Sequence, residues 1–363
     1  MNERRGSGVS RREMMKGAAA ASLGIAGAGL LSSATVEAAD RPSIDHLIAK
    51  APAGFKPMVV PGKVVKVTKA GDFKSLMQKN QLWPRPEVAR AMFEKGMTAF
   101  TGAPNAVEAM KKFIHKDDVV AIKVNGIALQ ALATNFELIL PVVETVLKLG
   151  VPADRITVYE QYPKFLAGTR IGRKGYDLPA GVKTATHNNK NHPMPPVRIY
   201  NGIPTKYCRF LLEATAVINI SMVKDHSICG YTGLLKNMTH GNVNNPQAHH
   251  AHNASPQIAM LYNHPIVTSR ARLNITDAFK VKYDRGPLDK QPATKTPYGA
   301  VFVSTDPVAM DRLGWGIVEA ERKKRNLPSL EHAHREPRYI KVAGELGLGV
   351  YDLNSIRMQT VQA

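Results

Sequence analysis

Thiols, acidic side chains and long apolar runs are all scarce in this sequence, and each shortage removes a class of function. Among 363 residues there are two cysteines, Cys208 and Cys229. Two thiols cannot ligate an ordinary iron–sulfur cluster, which takes four, so no such cofactor is expected. An oxidising compartment would allow a disulfide between them, but sequence alone does not give their separation. Asp and Glu number 29 against 49 Lys and Arg, a net charge of +20. That excess suits anionic partners: a small anionic or sugar-acid ligand, or an acidic polymer of the cell envelope. The alternative is a solvated basic surface that keeps the protein soluble. Beyond the N-terminal leader no stretch approaches the roughly 18 apolar residues of a membrane helix, so no transmembrane span is expected. The chain also lacks HExxH, paired CxxC, a GxSxG elbow, a P-loop and GxGxxG. The last two absences leave no fingerprint for a nucleotide cofactor.

What is present begins with an address. Ser10-Arg11-Arg12-Glu13-Met14-Met15-Lys16 has the twin-arginine pattern, followed by an apolar run from Ala18 to Leu31 and small residues at Val36-Glu37-Ala38. Residues 1–38 are therefore expected to be a twin-arginine signal peptide. The twin-arginine export machinery is the implied partner, and the periplasm or the exterior the destination. Residues 39–62, rich in Pro, Ala and Gly, are expected to form an arm or linker.

Residues 63–363 carry alternating strand and helix signals. Strands are expected at Lys63–Thr68, Val119–Val124, Arg155–Glu160, Val217–Val223, Arg272–Lys282 and Tyr298–Ser304. Helices are expected over Pro86–Phe100, Thr134–Leu149 and Asp306–Asn326, the last with Asp306 as N-cap. This order predicts one α/β domain: a mostly parallel or mixed open sheet with helices on both faces. Residues 163–206 break the pattern with clustered Gly, Asn and Pro and are expected to form an irregular insertion.

Chemistry concentrates after the 217–223 strand. Six of the 12 histidines fall between positions 226 and 264, where an open α/β sheet presents its ligand crevice. His240, His249, His250 and His252 are the candidate ligands for a transition-metal ion of unspecified identity. The same histidines could instead contact substrate. Lys224-Asp225-His226 precedes a Gly230-Tyr231-Thr232-Gly233 loop expected to open a helix and free backbone N–H groups for an anion. Lys224 and Lys236 are candidates to hold that anion, His226 to move a proton, and Asp277 to orient groups from a strand end. Lys123, Asn125, Thr232, Gly233 and Asn237 complete the expected substrate contacts. The preferred reading is an exported enzyme with redox or proton-transfer chemistry on a small anionic or sugar-acid substrate. The alternative is a non-catalytic metal- or anion-binding protein of the envelope.

The apolar strand Ala216–Val223, then Lys224-Asp225-His226, then Thr232-Gly233-Leu234-Leu235-Lys236-Asn237 resembles the central motif of the DUF362 family. Ile275-Thr276-Asp277 and Asp306-Pro307-Val308-Ala309 resemble that family's strand-ending Asp and its helix start. The resemblance covers roughly residues 118 to 320. It implies an α/β scaffold and assigns no reaction, and the cysteine count keeps the ferredoxin-like segment of some members from being carried over. Ser221 and Met222 stand where the family usually has Pro and Lys.

Overall fold

The computed structural model describes residues 43–190 and 192–363, so the proposed leader lies outside the described residues. Eleven strands form in chain order: β1 (Lys63–Thr68), β2 (Val120–Lys123), β3 (Ile156–Glu160), β4 (Lys183–Thr186), β5 (Val197–Arg198), β6 (Pro204–Thr205), β7 (Ala216–His226), β8 (Gly230–Thr232), β9 (Ala271–Lys282), β10 (Lys295–Ser304) and β11 (Arg357–Gln362). The helices that matter below are α1 (Pro86–Thr101), α2 (Phe136–Lys148), α3 (Leu234–Thr239), α4 (Gln257–Asn263), α5 (Pro307–Lys323) and α6 (Tyr339–Glu345).

Nine strands make one mixed sheet in the order β11-β1-β10-β9-β7-β2-β3-β4, with β8 folded back antiparallel on β7. Along that path β10 is the one reversed strand. Both faces are covered because strand side chains alternate. On one face Ile122, Ile218 and Ile220 pack with Met92 and Phe93 of α1 and Ile139 and Val143 of α2. On the other, Val217 and Val223 pack with Leu235 of α3, Ile258 of α4, Val308 of α5 and Ile340 of α6. The result is the expected α/β architecture in three layers.

Local signals explain the element ends. Pro86 sits in the first turn of α1, where its missing N–H costs nothing, and Gly102 closes the helix at φ 75° with its N–H donated to Thr98 O at 2.8 Å. Asp306 caps α5 as expected, accepting from Ala309 N at 2.8 Å. The expected arm packs inward where it is described: Ile44, Leu47 and Ile48 lie against the second core.

Three local expectations change. Residues 163–206 are not wholly irregular, because β4 joins the main sheet beside β3 and β5 pairs with β6. The 217–223 strand runs on to His226, so Lys224-Asp225-His226 continues the strand. Gly230–Thr232 is likewise a strand, with Lys224 opposite Thr232 and His226 opposite Gly230.

The topology places the site. The chain lays β2, β3 and β4 outward, then returns to put β7 on the opposite side of β2. The strand order reverses between β2 and β7, and the carboxyl ends of those strands open the crevice in which such sheets bind ligands.

Candidate functional site

At that switch point a cavity of about 400 Å³ opens. Asn125 follows β2, Glu160 ends β3 and His226 ends β7; Thr232 comes from β8, and Lys236 and Asn237 from α3. His240 and His250 close the same wall, Tyr162 and Lys164 stand on the wall after β3, and Ile228 and Leu288 lie at the rim.

Behind the cavity lies a packed polar layer. Lys123 is fully buried, with Nζ 3.2 Å from Glu160 Oε1, and it donates to Val124 O at 2.7 Å and Asn237 Oδ1 at 3.3 Å. Asn237 donates to Asn219 Oδ1 at 2.8 Å and accepts from Asn125 Nδ2 at 3.2 Å. Glu160 also accepts from Gly126 N at 3.1 Å, tying the start of the loop after β2 to the end of β3. Buried charges persist only when paired and hydrogen-bonded in this way. Lys224 is buried beneath Asn125, donating to its Oδ1 and to Leu132 O at 3.3 Å. Burial pushes the Lys224 amine down to about 7.

The front wall is a hydrogen-bonded row of nitrogen bases. His226 Nδ1 accepts from the main-chain N–H of Ile228 at 3.1 Å and of Cys229 at 3.3 Å. A neutral imidazole that accepts at Nδ1 carries its proton on Nε2. That Nε2–H faces Lys236 Nζ at 2.7 Å. On the other side His250 Nδ1 donates to Pro246 O at 2.9 Å, leaving its Nε2 as a lone pair 3.1 Å from the same Nζ. Cys229 Sγ lies 3.3 Å from Lys236 Nζ, with its thiol donated to Tyr231 O. Lys236 therefore has one donor facing it and two acceptors. That is the complement of a neutral amine, with one lone pair and two N–H bonds; an ammonium has no lone pair to accept with. Burial holds Lys236 below the usual lysine range and pushes His226 and His240 well below the usual imidazole range, and it lowers His250 to about 4. The hydrogen-bond pattern along the row is that of uncharged groups.

The residues singled out from sequence thus divide. The structure brings Asn125, His226, Thr232, Lys236, Asn237, His240 and His250 to one cavity. Lys123 and Lys224 sit behind it as buried supports. Asp277 is fully buried elsewhere, accepting from Asn135 N and Nδ2, each at 2.8 Å, and so anchors the start of α2 rather than orienting substrate. The helix opening at Gly233 is not a vacant anion site: Asp311 accepts from Leu234 N at 2.7 Å and Leu235 N at 3.0 Å. Gly233 is needed for that approach, since a Cβ there would lie 2.2 Å from Asp311 Oδ1. Lys236 faces one hydrogen-bond donor and two acceptors rather than an anion-sized opening of its own, a pattern that suits an amine better than the cationic clamp expected.

The four metal candidates do not form a donor set. His240 Nε2 donates to His249 O at 3.2 Å, and His249 Nε2 pairs with Thr205 Oγ1 at 2.9 Å. His252 is exposed at φ 52°, away from the cavity lining. Among the described residues no three His, Cys, Asp or Glu side chains are grouped to hold a metal ion. Cys208 and Cys229 are separate, buried free thiols. No described helix is long and apolar enough to cross a membrane.

Sequence reasoning missed Glu160, Tyr162, Lys164 and Arg335. Glu160 had a signal: it ends the strand beside β2, at the same edge as Lys123. Arg335 had none. It reaches back from beyond α5 to pair with Asp225 and to donate to His226 O at 3.0 Å, pinning the end of β7.

The family model described as a domain of unknown function, DUF362, matches residues 120–316, more than half of the chain. No curated protein matches it. The chain belongs to the DUF362 family.

Proposed function

We propose, from a family that supplies a scaffold and no named reaction, that this protein is an exported enzyme moving a proton on a small anionic substrate, of the sugar-acid or related carboxylate class. The observation that carries this reading is the uncharged row His226–Lys236–His250 along a cavity at the strand-order switch point. Each member hands a hydrogen bond to the next, from His226 Nε2–H to the Lys236 amine and from its N–H to His250 Nε2. A proton donor and a proton acceptor are thereby held within one hydrogen bond of each other. Lys164 on the opposite wall and the chain's cationic excess favour an anion, and the apolar rim of Ile228 and Leu288 suits a compact ligand. A capture protein would need charge or shape at this wall and would gain nothing from a lysine kept neutral. Export by the twin-arginine leader places the reaction outside the cytoplasm.

The test is solvent deuterium incorporation, at the carbon next to the carboxylate of hydroxy acids and sugar acids and at the carbon next to the carbonyl of oxo acids, followed by mass spectrometry. Incorporation is expected with at least one class and should vanish in Lys236→Met at unchanged melting temperature. Saturable binding without exchange anywhere in the panel would overturn the proton-transfer reading in favour of capture.

A further inference from the structure

The proton-transfer reading leaves open why the base at the centre of the row is a primary amine rather than a third imidazole. We propose that Lys236 captures a small carbonyl acid, a 2-oxo acid or an aldehyde acid, as an imine; this deepens the reading above and rests on its assignment of the cavity.

Three observations carry the proposal together. The first is the bonding count around Nζ, which a neutral amine satisfies and an ammonium does not. The second is what does not face it: the buried carboxylates of this region are engaged elsewhere. Glu160 pairs with Lys123, Asp225 with Arg335, and Asp311 with two backbone N–H groups. No acid among the described residues forms an ion pair with Lys236. The third is position. Lys236 lines the cavity, and its flanking groups are an N–H donor, His226 Nε2, and a lone pair, His250 Nε2.

The step balances with the groups present. The amine lone pair, released from His226, attacks the carbonyl carbon, and the C–N bond forms as the C=O π pair moves to oxygen. His226 Nε2–H protonates that oxygen, and His250 Nε2 takes a proton from the new ammonium. Return of that proton to the hydroxyl lets water leave as the nitrogen lone pair makes C=N, and the N–H proton of the resulting iminium goes back to His226 Nε2. Carbonyl plus amine becomes imine plus water, with no oxidant or metal. The imine then draws electrons from the adjacent C–H bond, which is the bond the exchange experiment reads. Lys164, whose Nζ lies 5.5 Å from the centroid of the Phe165 ring, lines the same cavity and supplies a cation for the substrate carboxylate.

The experiment uses the whole folded protein near neutral pH with glyoxylate or pyruvate as probe and sodium cyanoborohydride, which reduces imines in place. Peptide mass spectrometry then compares Lys236 with every other lysine of the same sample, so no variant is needed for the primary readout. Lys236 should carry the carboxymethyl or carboxyethyl group roughly tenfold or more ahead of exposed lysines such as Lys323, since an amine in water near neutral pH is almost wholly protonated and only the neutral form attacks a carbonyl. Labelling of Lys236 no faster than Lys323 overturns the proposal. The two readings fail separately. Deuterium exchange without trapping at Lys236 keeps proton transfer and removes the imine, while trapping without exchange keeps the imine and removes proton transfer.

Discussion

Asp311 reaches from α5 to the first turn of α3, where its two carboxylate oxygens accept from Leu234 N at 2.7 Å and Leu235 N at 3.0 Å. The helix that presents Lys236, Asn237 and the following His240 is thus aimed by a side chain more than seventy positions away, the register in which Gly233 leaves no side chain in between. Asp311→Ala strands two buried N–H groups and should cost about 3 kcal/mol of stability. Urea unfolding measures it, and a loss within about 0.5 kcal/mol of zero, the usual range for a surface change, would remove the carboxylate from this role.

Much of the architecture was legible because it rests on short-range rules. Six strands and three helices followed from alternation, from the 3.6-residue period and from Asp306 as a helix cap. The site was legible in part for the same reason, since Asn125, His226 and Lys236 sit at or just after elements whose ends could be placed. What failed was partnership across the chain. Nothing local distinguishes Asp277, which binds Asn135 and so looks inward, from an acid that faces a crevice. Nothing local says that Asp311 already occupies the helix opening at Gly233, or that two backbone N–H groups fix the tautomer of His226 and so leave Lys236 neutral. β4 escaped notice because an edge strand of four residues, exposed or half-buried throughout, carries little apolar pattern.

The histidine row makes stability depend on acid in a definite direction. Burial lowers His249 and His250 to about 4 and holds His226 and His240 well below the ordinary value of about 6.5. The unfolded chain therefore binds protons first. The stabilising contribution is complete above about pH 6.5 and declines as pH falls from there toward 4, by up to about 1.4 kcal/mol per pH unit for each histidine. Melting temperature should fall steadily across that interval, and His250→Asn should flatten the slope. A melting temperature constant from pH 6.5 to 4.5 would mean that these rings are not buried neutral.

Arg335 and Asp225 form a pair that a double-mutant cycle can isolate. Arg335 is about one-eighth exposed, Asp225 is fully buried, and Arg335 also donates to Asp284 at 3.0 Å and to His226 O at 3.0 Å. Arg335→Met leaves the Asp225 carboxylate accepting only from Gly286 N, and should destabilise by about 3–5 kcal/mol. Adding Asp225→Asn should restore part of that loss through a coupling above about 1 kcal/mol. Strict additivity would show that Arg335 acts through Asp284 instead.

The proposed export would depend on Arg11 and Arg12, which precede the described residues. Because the receptor reads the guanidinium pair as well as its charge, replacing both with Lys should hold the protein in the cytoplasm. Fractionation of cells expressing the two forms measures this. Undiminished appearance of the Lys-Lys form outside the cytoplasm would remove twin-arginine export from the proposed function.

The last prediction separates hydrogen bonding from metal ligation among the histidines, since both readings name the same residues but rank them differently. In a metal site His249, His250 and His252 would act as one unit, and loss of any would release the ion and its stabilisation of the folded state. In the geometry observed they are unequal. His250 links Pro246 O to Lys236 and His249 is buried against Thr205, whereas His252 is exposed. His250→Ala should therefore lower stability by about 1–3 kcal/mol, the cost of leaving buried partners unpaired. His252→Asn, which tolerates the left-handed backbone at φ 52°, should change it by less than about 0.5 kcal/mol. Prolonged chelation of protein made in its native host should leave the melting temperature unchanged. If chelation lowers it, and His252→Asn lowers it as far as His250→Ala does, the histidines ligate a metal, and the neutral row would have to be redrawn around that ion.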